Sequence, residues 1–393
     1  MTREEEKMIR GECGIITQKS MEILVTLGET FGAERLVEVT SAHLSGVSYA
    51  NIGDPGLEFL EEWAASGTKA LIQTTINPCG MDVERWREFG ISENFAKKQI
   101  RIVRALEKMG ASKSLSCTPY IIGNKPRLGD HVAWAESSAI VFANSILGAR
   151  TNREGGPSAL ASAITGRTPL FGYHLDEKRR PTHEIHVGSQ ISGVLEYSLL
   201  GYYIGKKLEE CIPLFRDLKN PSLEELKALS AGLAASGSVA LYHIPNVTPE
   251  EKKFRGKNYE SIDVKKTDLI ETMEKLSTGK TYEHVCIGCP QCSLKEIAEI
   301  AERITGKKVK RNLWIFSSSQ VCEEAKRKGY FATIEKAGGK VISDTCMVVA
   351  PMQDMGVQGI VTNSCKAAHY TPNTCKVPAT LKSLDECVEA ALR

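Results

Sequence analysis

The sequence predicts an α/β protein of more than one domain, built from parallel sheets flanked by helices. Three observations carry this. Short apolar runs alternate with capped amphipathic helices through the C-terminal third, the pattern of βα units. Polar segments, several with cysteine, follow the strands rather than precede them, and the carboxyl ends of strands are where open parallel sheets bind ligands. A chain of 393 residues also exceeds a single core. Residues 245–262 are charged, hold two prolines and lack apolar periodicity. They are the expected boundary between an N-terminal α/β region, residues 1–250, that offers substrate-binding strand ends, and a C-terminal α/β domain, residues 260–393.

From the N-terminus, a helix within residues 18–31 precedes a strand at 35–39 that runs into 41–48. A strand at 70–73 runs into 74–79. A helix from Ser92, with Phe95, Ile100, Val103 and Leu106 facing inward, stops at Gly110 and gives way to 112–116 and then 117–120. After the boundary, residues 285–287 form a strand that ends in a cysteine cluster. Ser293 and Glu296 have the spacing of a capping box, and Ile297, Ile300, Ala301 and Ile304 follow at helical spacing to Gly306. A strand at 313–316 leads to a second box, Ser317 and Gln320, whose helix ends at Gly338 and Gly339. Strands at 341–342 and 359–362 and a helix capped by Ser383 complete the alternation.

Fifty basic and 48 acidic residues give a formal charge of +2, which excludes the polycationic face of a nucleic-acid binder and favours a small charged ligand. The N-terminus, MTREEEKMIR, lacks the apolar core of a signal peptide. Residues 138–149 are apolar but too short to span a bilayer, and Asn144 interrupts them. A soluble cytoplasmic protein is expected, with no membrane partner. In that compartment the twelve cysteines are expected as thiols and metal ligands rather than a disulfide framework.

Three of them lie two residues apart in VCIGCPQCS, residues 285–293. Cys211, Cys322 and Cys387 sit in helical patterns and read as packing residues. Cys13, Cys79, Cys365 and Cys375 are undecided. Cys117, Cys289 and Cys346 each stand where a strand ends and a polar turn starts, and are candidates for one shared site. A zinc knuckle needs a second cysteine or histidine pair, which the run 286–292 lacks. Three thiolates from three strand ends would hold a cubane cluster by three corners and leave the fourth iron free, a Lewis acid for a substrate hydroxyl. The helix after Ser293 would favour thiolate at Cys289 and Cys292. The competing reading uses Cys286, Cys289 and Cys292 together in a non-catalytic iron–sulfur or zinc-binding protein, although the run lacks the fourth cysteine of the electron-transfer motif.

The segments IGCPQCSL, SCTPY, NPCGMD, SDTCMVVAP, GARTNREGGPSALASAITGRTP and TNSCKAAHYTP, together and in order, resemble the aconitase X family over essentially the whole chain. The resemblance implies an aconitase-superfamily-like fold without the swivelling small domain. It also implies a dehydratase whose iron–sulfur cluster, [4Fe–4S] with one open iron, is held by Cys117, Cys289 and Cys346. Cys286 and Cys292 would then pack behind it. A stand-alone chain of this length is similar to the archaeal members, which convert (R)-5-phosphomevalonate to trans-anhydromevalonate 5-phosphate and whose small subunit is a separate polypeptide. Many bacterial relatives are longer fused chains, and some dehydrate cis-3-hydroxyproline. Cys365 stands where the bacterial members carry Gly in an otherwise similar stretch, a departure from the bacterial type. The catalytic base, a serine in aconitase-type enzymes, is expected on the small subunit.

A phosphorylated hydroxy acid needs donors for two anionic ends. Gly46, Val47 and Ser48, at a strand end, offer backbone N–H groups and a hydroxyl. Asn77 and Pro78 follow another strand end. Glu136 and Ser137 sit in an apolar segment, where a carboxylate is costly to bury without a partner; the resemblance assigns both to the site. Arg150 and Arg153 carry forks suited to carboxylate or phosphate, and Lys366 is a further anion partner. His369 is left out, because a lone histidine is more often structural.

Overall fold

The computed structural model describes residues 1–393 except 255, 257, 258 and 280. Five strands lie in the first part of the chain: β1 (Leu36–Glu38), β2 (Ser41–Leu44), β3 (Gln73–Ile76), β4 (Ala133–Trp134) and β5 (Arg167–Pro169). β2 is the centre of a parallel β3-β2-β4 sheet, while β1 and β5 form an antiparallel ribbon. Next come β6 (His183–Val187), β7 (Pro213–Phe215) and β8 (Glu260–Val264), a parallel sheet in the order β7-β6-β8. The last part holds β9 (His284–Ile287), β10 (Asn312–Ser317), β11 (Lys340–Ser343), β12 (Ile360–Thr362) and β13 (Ala379–Leu381) in a five-stranded parallel sheet, β11-β10-β9-β12-β13.

The fold class therefore holds: parallel sheets flanked by helices. Residues 245–262, expected as a boundary, contain the turn Glu251–Phe254 and the start of β8, which pairs with β6.

Sheet position explains composition. β9 is central, and all four of its residues are buried, so it reads HVCI with no polar alternation. Helix Leu294–Ile304 covers one face of that sheet with Ile297, Ile300, Ala301 and Ile304, the expected stripe. Its capping box is formed: Ser293 Oγ accepts from Glu296 N, and Glu296 accepts from Ser293 N at 2.8 Å.

Three expectations are corrected. The strand at 70–73 starts where it was expected to end, because Leu71 is 63% exposed while Thr74, Thr75 and Ile76 are buried and pair with β2. Residues 112–116 form no strand; Ser112 makes one isolated bridge to Thr75. The helix expected to run from 320 to 338 is two helices, Ser319–Arg327 and Tyr330–Ala337, broken at Gly329, whose φ of 81° a helix interior does not admit. Its cap is Ser318, not Ser317.

All twelve cysteines are unpaired and only Cys13 is exposed. Cys211 packs in the core as expected but lies after helix Gly193–Leu208, outside it. Among the described residues, no helix is long and apolar enough to cross a membrane.

A candidate active site lined by three cysteines

The three strand-end cysteines meet. Cys117, Cys289 and Cys346 all line one cleft of about 280 Å³. Each is brought there by a separate loop. Ahead of Cys117, Ser116 N donates to Ile76 O at 3.0 Å, tying its loop to the end of β3. Cys289 follows β9 and Gly288, whose φ is 117° and where a Cβ would stand 2.3 Å from Phe316 O, so only glycine fits. Cys346 follows β11, and its loop is drawn to the N-terminal part by Cys79 N donating to Asp344 O at 2.9 Å and Ser343 Oγ donating to Asp82 at 2.8 Å.

Burial pushes all three thiols up, Cys117 to about 12; Glu136 adds to this at Cys117 and Cys289, neighbouring thiols add to it at Cys117 and Cys346, and Lys366 acts against it on each. Left to themselves they stay protonated, so stable thiolates here require a cation among them. Each sulfur already has a hydrogen-bond partner: Gln291 N donates to Cys117 Sγ at 3.2 Å, the Ser364 hydroxyl bonds Cys289, and the Val348 backbone bonds Cys346. Among the described residues no three His, Cys, Asp or Glu side chains close on one point to hold a single metal ion. Three cysteine thiols on one cleft are the donor type that iron–sulfur clusters use.

The run at 286–292 does not act as a unit. Cys286 packs against Trp314 and Phe316, and Cys292 lies in the core under helix Leu294–Ile304, neither lining the cleft. The helix start does not favour thiolate at Cys292, because burial and the capping carboxylate of Glu296 push that thiol well up. Cys365 is fully buried with its N–H donating to Ser198 Oγ at 3.1 Å, away from the cleft.

Beside the cysteines, much of the cleft lining is polar. Gly46, Val47, Ser48, Asn77, Pro78, Glu136, Ser137 and Lys366 all line it. Gly46 takes φ 74°, the left-handed turn that a side chain resists. The Ser48 hydroxyl is already used, donating to Val349 O at 2.7 Å and joining this loop to the one that follows Cys346. Burial alone would raise the Glu136 carboxyl, but Lys366, Asn77 and Ser138 outweigh it and hold it at about 2. Lys366 Nζ donates to Glu136 Oε1 and, at 3.2 Å, to Ser137 Oγ; Asn77 Nδ2 donates to Glu136 Oε2 at 2.8 Å. Glu136 is thus a fixed carboxylate and Lys366 a fixed cation.

Arg150 and Arg153 were expected here, and the structure does not bring them. Arg150 donates to His174 O at 2.8 Å and pairs with Asp176, while Arg153 donates to Ala234 O at 3.3 Å. Their forks are matched by backbone carbonyls and a surface carboxylate. His369, left out, bonds Tyr202 OH at 2.9 Å and does not line the cleft.

Sequence reading missed His43. It is fully buried in β2, with Nδ1 2.8 Å from Thr75 Oγ1 and Nε2 3.1 Å from Asn77 Oδ1. Because Asn77 Nδ2 is committed to Glu136, Asn77 Oδ1 accepts, so His43 carries its proton on Nε2 and accepts from Thr75. Its only signal was a histidine at the centre of a short strand. Ser45, Asn51, Val348, Val349, Tyr370 and Thr374 are the remaining lining residues.

Burial holds His43 down to about 4 against an ordinary 6.5. Between those values the unfolded chain binds a proton that the folded chain excludes, so stability falls as the medium is acidified through pH 6.5 toward pH 4, by roughly 3 kcal/mol for this group alone. The expected result is an unfolding temperature that drops steadily across that window, and drops less in His43→Gln. A pH-independent transition would contradict it.

Comparison with known proteins bears on the whole chain. The family models described as Aconitase X first, second and third domain match residues 1–177, 181–274 and 282–393. The chain belongs to the aconitase X family.

Several relatives carry the name phosphomevalonate dehydratase large subunit, among them the following two. The one from Methanocaldococcus jannaschii is 48% identical, covering 99% of each chain. The one from Methanothermobacter thermautotrophicus is 50% identical over 96% of this chain and 95% of its own. The crystal structure of Thermococcus kodakaraensis aconitase X in its holo form superposes with a TM-score of 0.93 at 43% identity, covering 100% of this chain and 99% of that one. In aconitase X terms, Cys117, Asn77 and Glu136 come from the first domain and Cys289, Cys346 and Lys366 from the third, so the cleft lies between those two domains.

Proposed function

We propose that this chain is the large subunit of a hydro-lyase that converts (R)-5-phosphomevalonate to trans-anhydromevalonate 5-phosphate, with an iron–sulfur cluster on Cys117, Cys289 and Cys346. The observation that carries the reading is the convergence of three thiols, distant in sequence, on one cleft whose lining also offers Lys366, Ser137 and the Gly46 to Ser48 loop. The names of the near-full-length relatives support the substrate, and their designation as large subunits supports a small-subunit partner. The free state of all twelve cysteines suits a reducing cytoplasm.

When bound, a cluster held by three corners supplies an open iron as a Lewis acid for the departing hydroxyl. The chain's own groups do the rest of the binding. Lys366, kept charged by Glu136 although burial opposes it, is placed to meet an anionic end of the substrate. Gly46 leaves backbone N–H groups approachable for the other. Asn77, fixed by His43, fixes Glu136 in turn.

Dehydration also needs a base for the proton on the neighbouring carbon. Glu136, held at about 2, is too weak, and Lys366 is protonated. Ser48 is spent on Val349 O. That none of these three is poised as the base supports a base delivered by the small subunit.

The test is a substrate panel with the two-subunit enzyme. Mevalonate 5-phosphate should be consumed with kcat/KM at least about 100-fold above that for unphosphorylated mevalonate, the order expected when a charged group loses its partner. Preference for cis-3-hydroxyproline would contradict the assignment.

A further inference from the structure

We infer that Gln291 is the positioning residue that sets the geometry of the three cysteines, an inference that rests on the cluster reading above. Its side chain is fully buried and makes no contact with the cleft. Nε2 stands 3.3 Å from Leu115 O, 3.2 Å from Ser317 O and 3.1 Å from Thr345 O. Leu115 is two residues before Cys117, Thr345 immediately precedes Cys346, and Gln291 itself is two residues after Cys289. One amide therefore ties together the three loops that carry the three thiols.

The other end of the same residue closes on Cys117. Gln291 Oε1 accepts from Cys117 N at 3.3 Å, and Gln291 N donates to Cys117 Sγ at 3.2 Å. The amide orientation follows from chemistry: turned over, it would set Oε1 against three carbonyls and Nε2 against an N–H. Two N–H donors serve three carbonyls, so one is shared, and no other side chain of this length supplies both donors and an acceptor.

Two of the loops need such a clasp. Leu115 takes φ of 41°, a left-handed conformation that a leucine adopts only when its surroundings impose it, and Asp344 takes 67°, in the region that aspartate tolerates better than most side chains. Behind the clasp, Lys227 donates to Gln291 O at 2.9 Å and pairs with Glu296, so the second domain braces the same turn. Removing the amide leaves buried carbonyls unpaired and frees three loops to drift, while every cysteine remains.

The experiment compares the full-length chain with Gln291→Met, Gln291→Asn and, as a control for general destabilisation, Val388→Ala in the core across the C-terminal sheet. Each is loaded anaerobically with ferrous iron and sulfide and desalted. Iron and sulfide per chain, visible absorption and unfolding temperature are then read. The Gln291 variants should hold iron on the order of 10- to 100-fold more weakly, the usual cost of losing a residue that orients metal ligands, with altered absorption. Val388→Ala should keep wild-type iron at a comparable loss of unfolding temperature. If Gln291→Met does not fold, Gln291→Asn, which keeps an amide on a shorter arm, is judged by the same criteria. Wild-type iron and absorption in the Gln291 variants would overturn the inference alone, as would equal iron loss in Val388→Ala. A wild-type chain that takes up no iron would overturn the cluster reading and the inference together.

Discussion

Lys366→Met lowers the stability of the apo chain by about 3–5 kcal/mol, because it strands the Glu136 carboxylate in a buried site. Glu136→Gln has a cost of the same order, because it strands the ammonium. The two groups pair directly, and each side chain is about one-tenth exposed. The double variant should lose less than the sum of the two single losses, a coupling of about 1–3 kcal/mol in a double-mutant cycle followed by denaturant unfolding. Activity behaves differently. Both single variants and the double variant should lose on the order of 1,000-fold in kcat/KM with the partner subunit present, since removing both charges relieves the stranded partner but does not restore substrate anchoring. Additive stability effects would show that the pair is not coupled in solution, and full activity in the double variant would remove Lys366 from the binding machinery.

The cysteine series separates the two readings of the CxxCxxC run. Cys117→Ser, Cys289→Ser and Cys346→Ser should each lose at least about 1,000-fold in turnover, the scale of several kcal/mol of Lewis-acid stabilisation, together with most of their iron. Cys286→Ala and Cys292→Ala should keep iron and turnover within a few-fold, and should lose about 1–2 kcal/mol of stability as small core truncations. Iron content and turnover of the five variants, measured anaerobically, decide it. Retention in Cys117→Ser and Cys346→Ser with loss in Cys286→Ala and Cys292→Ala would replace the shared site with a local one.

Cys289 and Cys346 were legible because a parallel sheet gathers the ends of β9 and β11 on one side; Cys117 was picked by the same reasoning although the segment before it forms no strand and is only tied to the end of β3. CxxCxxC spacing would have misled, since β9 and the following turn send Cys286 and Cys292 to opposite cores and Cys289 alone to the cleft. Capping residues were legible because a cap is a local bond: Ser92, Ser293 and Ser383 cap as their spacing predicts.

The polar half of the site was legible by residue but not by role. Asn77, Glu136 and Lys366 are 59 and 230 residues apart along the hydrogen-bond chain that joins them, and no local pattern encodes such a pairing. His43 and Gln291 were missed for the same reason: each acts through partners on other elements. Arg150 and Arg153 were misplaced because an arginine fork reads the same whether it meets a phosphate, Asp176 or a backbone carbonyl. The strand at β3 was shifted because Ala70 and Ile72 are apolar for packing against the core rather than for pairing, while Leu71 between them is exposed.

The central claim is that this cleft is a dehydratase site that a second subunit completes. The measurement that tests it most directly is anaerobic turnover of mevalonate 5-phosphate by the iron-loaded chain, alone and mixed with its small subunit. The account predicts no measurable turnover by the chain alone and full turnover on mixing, lost when the iron is removed. Full turnover by the chain alone, or undiminished turnover without iron, would contradict it.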